Sequence, residues 1–232
     1  MTAYVFDVDG VLCDRNENID SEFQAWFHDW ATNKKIFYVT GSERYRTIEQ
    51  IGSKLVDLAQ ISFHCLGNSI WINNKEFLVN QIKLQDDEYD FLLNCINKSS
   101  FNCKTGNHIE LRKGSVNFSI VGRNANKDQR KLYTQYDKLT RERLHIVKNI
   151  KKIFPRLDAF LGGDVSIDIC LRGADKSQCY SLMQTNELYF FGDRCYPYGI
   201  DEPFAKICRG DKLKYFQIDN GYHQTWDILK TL

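Results

Sequence analysis

Two aspartates, Asp7 and Asp9, directly follow a short apolar segment near the start of the chain and precede Gly10. Alternate residues of a strand face opposite ways, but a strand that ends at a glycine can curl so that both side chains approach one ligand. One carboxylate of such a pair can attack phosphorus, while the other donates and later accepts a proton. The spacing therefore indicates phosphoryl transfer, with a solvated Asp-Gly turn as the alternative interpretation.

Three further polar residues have the right positions to join this pair. Asp193 follows a buried-strand pattern at residues 188–191 and could complete an oxygen-ligand set for Mg²⁺. Asp201 is a weaker candidate, for anchoring the same loop. Lys176 opens a helical pattern and could neutralise both the nucleophile and the transferred phosphoryl group, although a lone lysine is more often a surface charge. These residues predict a magnesium-dependent phosphoryl-transfer site.

The elements that must position these residues alternate in type. Residues 4–6 and 36–39 have the apolar, β-branched and aromatic character of buried strands, and helical periodicity marks residues 21–33 and 43–58. This order requires a parallel sheet with right-handed crossovers, in which ligands bind beyond the carboxyl ends of the strands. The residues that fall at those ends are Asp7, Asp9, Thr40 and Ser42.

The alternation is interrupted in the middle of the chain and then returns. The patterns there predict a hairpin at 69–77, a helix at 86–97, a hairpin at 108–120, one long charged helix at 127–153 and two strands ending near Leu171. A helix at 176–184, the strand at 188–191 and a last helix at 221–232 follow. We therefore predict an α/β fold: a Rossmann-like core with a parallel sheet, formed by 1–79 and 174–232, and an inserted α+β cap at 80–173.

Composition excludes several classes of function. The chain has 232 residues with 31 Lys plus Arg against 30 Asp plus Glu, so no global field attracts nucleic acid or a membrane surface. No secretory leader is recognisable, and no apolar run approaches the roughly 18 residues that a membrane span needs. The eight cysteines form no C-x-x-C pair and no zinc-ligand spacing, so we expect reduced thiols in a cytoplasmic protein. Because the whole chain carries almost no net charge, any phosphate binding must depend on a local group of residues.

Four stretches, taken together, resemble the motifs of the haloacid dehalogenase (HAD) superfamily. They are Asp7-Val8-Asp9-Gly10, Thr40-Gly41-Ser42, Lys176 and Gly192-Asp193. Residues 109–123, 162–168 and 192–201 are similar to the eukaryotic-type phosphomannomutases, which insert their cap between the second and third motifs. The likeness covers nearly the whole chain and implies a HAD core.

The resemblance implies an enzyme that interconverts mannose 6-phosphate and mannose 1-phosphate, through an aspartyl-phosphate and a hexose bisphosphate. By the same likeness Asp7 is the nucleophile and Asp9 the general acid/base. Mg²⁺ is then held by the Asp7 side chain, the Asp9 backbone carbonyl and Asp193. A role in GDP-mannose biosynthesis and a homodimer formed through the cap are also implied.

The cap residues that match the family are basic or polar. The arginines that match its holders of the non-reacting phosphate are Arg112, Arg123 and Arg130. Ser166 and Asp168 match its sugar-hydroxyl contacts. Planar guanidinium groups suit bidentate recognition of phosphate, and carboxylates suit hydroxyls. Without the resemblance, each arginine fits a solvated surface position better.

The chain departs from the family pattern at four places. Val11 replaces a threonine, and Ile200 replaces an asparagine. The family's first-loop arginine falls at Asn16, with Arg15 one place earlier. Because Thr40-Gly41 replaces two glycines, either Thr40 or Ser42 could contact the phosphoryl oxygens.

These departures leave phosphoryl transfer intact and two alternatives open. The first is a HAD-type sugar-phosphate phosphatase, in which water accepts the phosphoryl group. The second is a non-enzymatic binding module, which is disfavoured because all the chemical groups are present.

Overall fold

The computed structural model describes residues 2–15 and 17–232. The strands are β1 (Ala3–Phe6), β2 (Lys35–Val39), β3 (Ile61–His64), β4 (Ser69–Ile72), β5 (Lys75–Leu78), β6 (Ile109–Arg112), β7 (Ser115–Phe118), β8 (Leu157–Leu161), β9 (Ile167–Leu171), β10 (Leu188–Gly192) and β11 (Leu213–Gln217). The α-helices are α1 (Ser21–Ala31), α2 (Arg44–Ile51), α3 (Ser53–Val56), α4 (Asp86–Lys98), α5 (Lys127–Thr140), α6 (Glu142–Ile153), α7 (Glu202–Ile207) and α8 (Gly221–Leu229). Short 3-10 helices lie at Cys65–Gly67 and Lys176–Leu182.

The core is built on a seven-stranded sheet with the order β11-β10-β1-β2-β3-β4-β5. The strands from β11 to β3 are parallel, and β4 and β5 extend the sheet as an antiparallel hairpin. In this register Phe6 lies opposite both Phe191 and Tyr38. The residues that follow β10, β1 and β2 therefore lie side by side at one edge of the sheet, as the alternation of strands and helices predicts.

Aromatic packing fixes the central strand β1. Phe6 stacks on Phe191 at 4.8 Å between ring centroids and meets Phe27 of α1 edge-on at 5.2 Å. Asp20 caps α1 by accepting hydrogen bonds from the backbone N–H groups of Glu22 and Phe23. Complete burial of a phenylalanine side chain contributes about 1.5–3 kcal/mol. The strand that leads to Asp7 is thus packed against both β10 and α1.

The inserted segment forms a second, four-stranded sheet with the order β6-β7-β9-β8, antiparallel throughout. Alternate residues of β7 face opposite ways: Val116 and Phe118 join the apolar core under α4, α5 and α6, whereas Asn117 lines a cleft. Asn117 pairs with Asp168 of β9 in the register. The polar face of this sheet is thereby turned toward the cleft that the cap shares with the core domain.

The predicted fold class is confirmed. The chain leaves the seven-stranded sheet after β5, builds the second sheet and returns at β10. The domain limits at 79/80 and 173/174 stay predictions. In the described part of the chain no helix is long and apolar enough to span a membrane, and the eight cysteines are free thiols.

Several predicted elements differ from those observed. The helix predicted at 127–153 is two helices, because Arg141 adopts a left-handed conformation with φ 55°. Gly52, at φ 81°, likewise divides the helix predicted at 43–58 into α2 and α3. The α-helix predicted at 176–184 is the 3-10 helix Lys176–Leu182. Strand β11 and helix α7 were not anticipated.

Candidate active site

The Asp7 carboxylate lies at the end of β1 and is nearly inaccessible, with 5% of the residue exposed. Its Oδ1 accepts a hydrogen bond from the Val8 backbone N–H at 2.8 Å, and its Oδ2 lies 3.0 Å from Lys176 Nζ. Gly10 has φ 77°, and a Cβ there would lie 2.6 Å from Asp193 Oδ2. The curl at a glycine that the sequence predicts is therefore present, and it brings Asp193 against the same loop.

Asp9 is oriented by a residue that sequence reasoning missed. Gln50 of α2 donates through Nε2 to Asp9 Oδ1 at 2.7 Å. Gln50 is itself buried, and it lies beside Thr47 and Ile51 on the inward face of the helix. Thr47, Gln50 and Ile51 have the i, i+3, i+4 spacing of residues on one face of a helix, and this spacing could have identified Gln50 as an inward-facing residue.

Lys176 is completely buried, so the interpretation of this lysine as a surface charge is wrong. Its ammonium lies between two carboxylates, 3.0 Å from Asp7 Oδ2 and 2.6 Å from Asp201 Oδ1. Burial alone lowers the pKa of Lys176, but Asp201 and Asp7 more than offset this and raise it. The lysine is a permanent cation behind the Asp7 carboxylate.

Asp201 has a more central place than the sequence predicts. It is also completely buried, and its Oδ2 accepts a hydrogen bond from the Arg194 backbone N–H at 3.0 Å. Because one oxygen holds Lys176 and the other holds the loop after β10, Asp201 joins the two segments that flank Asp7. The loop-anchoring role proposed for it agrees with these contacts.

Three buried carboxylates, those of Asp7, Asp193 and Asp201, have oxygens within 4.8 Å of one another. The pKa of Asp7 is raised to about 8, mainly by burial and also by Asp201 and Asp193, while Lys176 opposes the rise. Burial, with Asp201 next, also raises the pKa of Asp193. Hard oxygen donors with excess negative charge suit Mg²⁺, which would favour the ionised carboxylates. The residues present therefore fit the predicted metal.

Thr40 and Ser42 both lie on the core side of the cleft. Thr40 is buried, and its hydroxyl oxygen accepts a hydrogen bond from the Ser42 backbone N–H at 3.1 Å. The turn after β2 thus brings both hydroxyl groups to the site.

The cap side of the cleft carries Arg112, Ser166 and Asp168, as the sequence predicts. Arg112 donates to Glu110 Oε2 at 2.6 Å and lies 3.6 Å from Asp168 Oδ1. Asn117, which was not predicted, donates to the same Asp168 oxygen at 2.8 Å. The cleft enclosed between these residues and Asp7 has a volume of about 120 Å³.

The three predicted cap arginines do not all line the cleft. Arg123 lines both the cleft and an adjoining groove of about 790 Å³, and Arg130 lines the groove. Arg130 donates through Nε to the Ala125 carbonyl at 2.9 Å and through Nη2 to the Arg123 carbonyl at 3.0 Å. Partial burial, then Arg123 and Arg46, lowers the pKa of Arg130. The basic groove residues are Arg15, Arg46, Arg123, Lys127, Arg130, Lys131 and Lys138.

Arg15 lines the cleft, whereas Asn16, where the family arginine falls, lies outside the described residues. Arg15 donates to Asp193 Oδ2 through Nε at 2.8 Å and also through Nη2. Arg15, which precedes the position of the family arginine by one residue, therefore contacts Asp193, a predicted metal ligand.

Comparison with known proteins agrees with this geometry. Residues 23–209 match the sequence profile of the eukaryotic phosphomannomutase family. The chain belongs to this family. The phosphomannomutase of Saccharomyces cerevisiae is 29% identical over 204 residues, which are 83% of this chain and 80% of that protein. The phosphomannomutase of Arabidopsis thaliana is 29% identical over 207 residues, covering 85% and 84%. The predicted family is thus confirmed.

Solved structures with lower identity share the fold. The C-terminal domain of trehalose-6-phosphate phosphatase from C. albicans has a TM-score of 0.65 at 12% identity, covering 99% of this chain and 91% of that one. An N-terminally truncated, IMP-bound IMP-nucleotidase from Plasmodium falciparum has a TM-score of 0.61 at 15% identity, covering 99% and 67%. The chain therefore shares the α/β fold of these two proteins.

The buried contact between Asp201 and Lys176 gives a prediction about stability. Asp201→Ala should lower the free energy of unfolding by about 3–5 kcal/mol, because it leaves a buried ammonium with one carboxylate fewer. Urea denaturation followed by circular dichroism would measure the change. The exposed pair formed by Asp227 and Lys230, 3.2 Å apart, supplies the control. Asp227→Ala should cost less than about 1 kcal/mol. Equal costs for the two variants would contradict the role given to Asp201.

Proposed function

We propose that this chain is a Mg²⁺-dependent phosphomannomutase that interconverts mannose 6-phosphate and mannose 1-phosphate through an aspartyl-phosphate and a hexose bisphosphate. One observation carries the proposal: Asp7 of the core and Arg112 and Arg123 of the cap line a single cleft. A substrate with two phosphate positions needs such an arrangement, with a reacting site on one side and a holding site on the other.

Asp7 is the nucleophile in this proposal. Its carboxylate oxygen forms a bond to phosphorus while the bond from phosphorus to the sugar oxygen breaks. The hydrogen bond from Val8 and the ion pair with Lys176 fix the carboxylate for this attack. The Lys176 ammonium also stabilises the negative charge on the transferred group, whose transfer depends mainly on positioning and electrostatics.

Asp9 moves the proton. It donates a proton to the sugar oxygen that leaves phosphorus, and in the second half of the reaction it accepts one from the attacking sugar hydroxyl. The phosphoryl group then passes from Asp7 to that hydroxyl, and the Asp7 carboxylate is regenerated. Gln50 holds the Asp9 carboxylate toward this position.

The metal ligands in this proposal are the side chains of Asp7 and Asp193 with the backbone carbonyl of Asp9. A bound Mg²⁺ would stabilise negative charge on the phosphoryl oxygens. Asp201 stays outside this set, because its two oxygens already hold Lys176 and the Arg194 backbone.

The cap binds the part of the substrate that does not react. Arg112, Arg123 and Arg130 hold the second phosphate, with Arg130 at the edge toward the groove. Ser166 and Asp168 contact sugar hydroxyls, and Asn117 orients the Asp168 carboxylate. The mannose preference, and a place in cytoplasmic GDP-mannose biosynthesis, rest on the family.

A homodimer through the cap is the remaining part of the proposal. Leu132 and Leu139, seven positions apart on α5, are 56% and 88% exposed. Residues with that spacing lie on one side of a helix. An apolar stripe on the outside of the cap supports self-association there.

The products formed from mannose 1-phosphate test the proposal most simply. With Mg²⁺ and a catalytic amount of hexose bisphosphate, the enzyme should form mannose 6-phosphate with little free phosphate, because the phosphoryl group passes between Asp7 and sugar. Phosphorus NMR would follow both products. Release of mannose and inorganic phosphate alone would contradict the mutase and identify the phosphatase that the sequence leaves as the alternative.

The cap arginines give a second prediction. Removing one charged hydrogen-bond donor typically costs about 1.5–3 kcal/mol, or about 10- to 150-fold, so Arg123→Ala and Arg130→Ala should slow isomerisation by that factor. Hydrolysis of 4-nitrophenyl phosphate, which is too short to reach the cap, should survive and is the internal control. Isomerisation at the wild-type rate in both variants would give the phosphate-holding role to other residues.

A further inference from the structure

Asp164 joins the cap to the core at the edge of the cleft. It lies in the loop between β8 and β9, and its Oδ1 accepts hydrogen bonds from Arg15 Nη1 and Arg194 Nη2, both at 2.9 Å. Arg15 belongs to the loop after β1, and Arg194 to the loop after β10. One cap carboxylate therefore contacts both loops that carry the proposed catalytic aspartates.

Both guanidinium groups are held in place by other core residues. Arg15 also donates to Asp193 through Nε and Nη2. Arg194 is buried and donates through Nη1 to the Tyr196 hydroxyl at 2.7 Å. Donors already fixed in this way lose little conformational freedom when they bind a further carboxylate. The core thus presents two preoriented guanidinium groups to the cap loop.

The loop that carries Asp164 is also fixed within the cap. Arg143 of α6 donates to the carbonyl oxygens of Gly163 at 2.7 Å and Ser166 at 3.2 Å. Ser166, one of the proposed sugar contacts, lies two residues beyond Asp164. A displacement of Asp164 would therefore also displace Ser166, on the sugar-binding side of the cleft.

We propose that Asp164 is a positioning residue that latches the cap over the cleft. The inference rests on the proposed mutase, because a bisphosphate that must present either phosphate to Asp7 requires a cap that closes firmly and still opens. The Asp164 side chain is about 40% exposed, so its ion pairs are moderate in strength and reversible. Two partly exposed pairs together shift a closing equilibrium by a factor of about 5 to 30.

Two backbone hydrogen bonds report closure without any turnover. The Leu161 N–H, in the cap, donates to the Tyr198 carbonyl at 2.8 Å, and the Ile200 N–H donates back to the Leu161 carbonyl at 3.2 Å. Both bonds cross from cap to core beside Asp164. Opening of the cap would break them and expose the two amides to hydrogen exchange.

The test compares Asp164→Asn with Glu17→Gln. Glu17 forms the matched control pair, since it also links core to cap through Lys127 at 2.9 Å, but both side chains of this pair are well exposed. Hydrogen exchange of the Leu161 and Ile200 amides should accelerate about 5- to 30-fold in Asp164→Asn and less than about twofold in Glu17→Gln. A raised salt concentration should accelerate wild-type exchange and leave Asp164→Asn nearly unchanged.

Steady-state kinetics supply the second readout. In Asp164→Asn, kcat/KM for isomerisation should fall by the same factor, chiefly through KM, while hydrolysis of 4-nitrophenyl phosphate keeps its wild-type rate. Unchanged exchange of both amides would overturn the latch. Equal loss of isomerisation and aryl phosphate hydrolysis, with a lower free energy of unfolding, would also overturn it in favour of a structural role. The exchange measurement remains decisive if the wild-type enzyme proves to be a phosphatase, so the two proposals fail separately.

Discussion

The ammonium of Lys176, buried between the carboxylates of Asp7 and Asp201, is the interaction on which the rest of the site depends. Charges removed from water require partners, and here one cation balances part of a cluster of three acidic side chains. Burial, with the charges of Asp201 and Asp193 as smaller causes, raises the pKa of Asp7 to about 8 although Lys176 opposes the rise. The pocket is therefore prepared for a divalent cation and a phosphoryl group, whose charges complement one another there.

The sheet order explains how residues so distant in sequence form this cluster. Strands β10, β1 and β2 are adjacent and parallel, so Asp193, Asp7 and Thr40 emerge at one edge. Lys176 and Asp201 arrive from the segments on either side of β10. The cap sheet then turns its polar face, with Arg112 and Asp168, toward the same edge. In the proposed mechanism, core strands thus supply the reacting groups, and the inserted sheet supplies recognition.

Local patterns were sufficient to predict the parts of the site that follow directly from a strand end. Asp7 and Asp9 could be identified because an apolar strand and a glycine bracket them, and the cap hairpin could be identified from the two strand patterns on either side of Lys113-Gly114. The alternation of strands and helices similarly predicted the parallel sheet. These signals are all contained within short windows of sequence.

The long-range charge contacts could not be predicted in the same way. Nothing near Lys176 in the sequence indicates that Asp201, 25 positions later, will accompany it into the interior. The break between α5 and α6 depends on Asp137, whose carboxylate accepts hydrogen bonds from both the backbone and the side chain of Arg143. Asp164 likewise gains its contacts with Arg15 and Arg194 only when the loops after β1 and β10 meet the cap. Pairings of this kind are set by tertiary packing.

The central claim is that the phosphoryl group passes through the Asp7 carboxylate, and trapping it there is the most direct measurement. In Asp9→Asn, 4-nitrophenyl phosphate should still phosphorylate Asp7, because nitrophenolate leaves without a proton, whereas release of the phosphoryl group should be slow. Acid quenching within the first turnover, followed by peptide mass spectrometry, should find phosphate on Asp7 in an amount equal to the nitrophenolate released. A burst of nitrophenolate with the phosphate on another residue, or with none on the protein, would contradict the account.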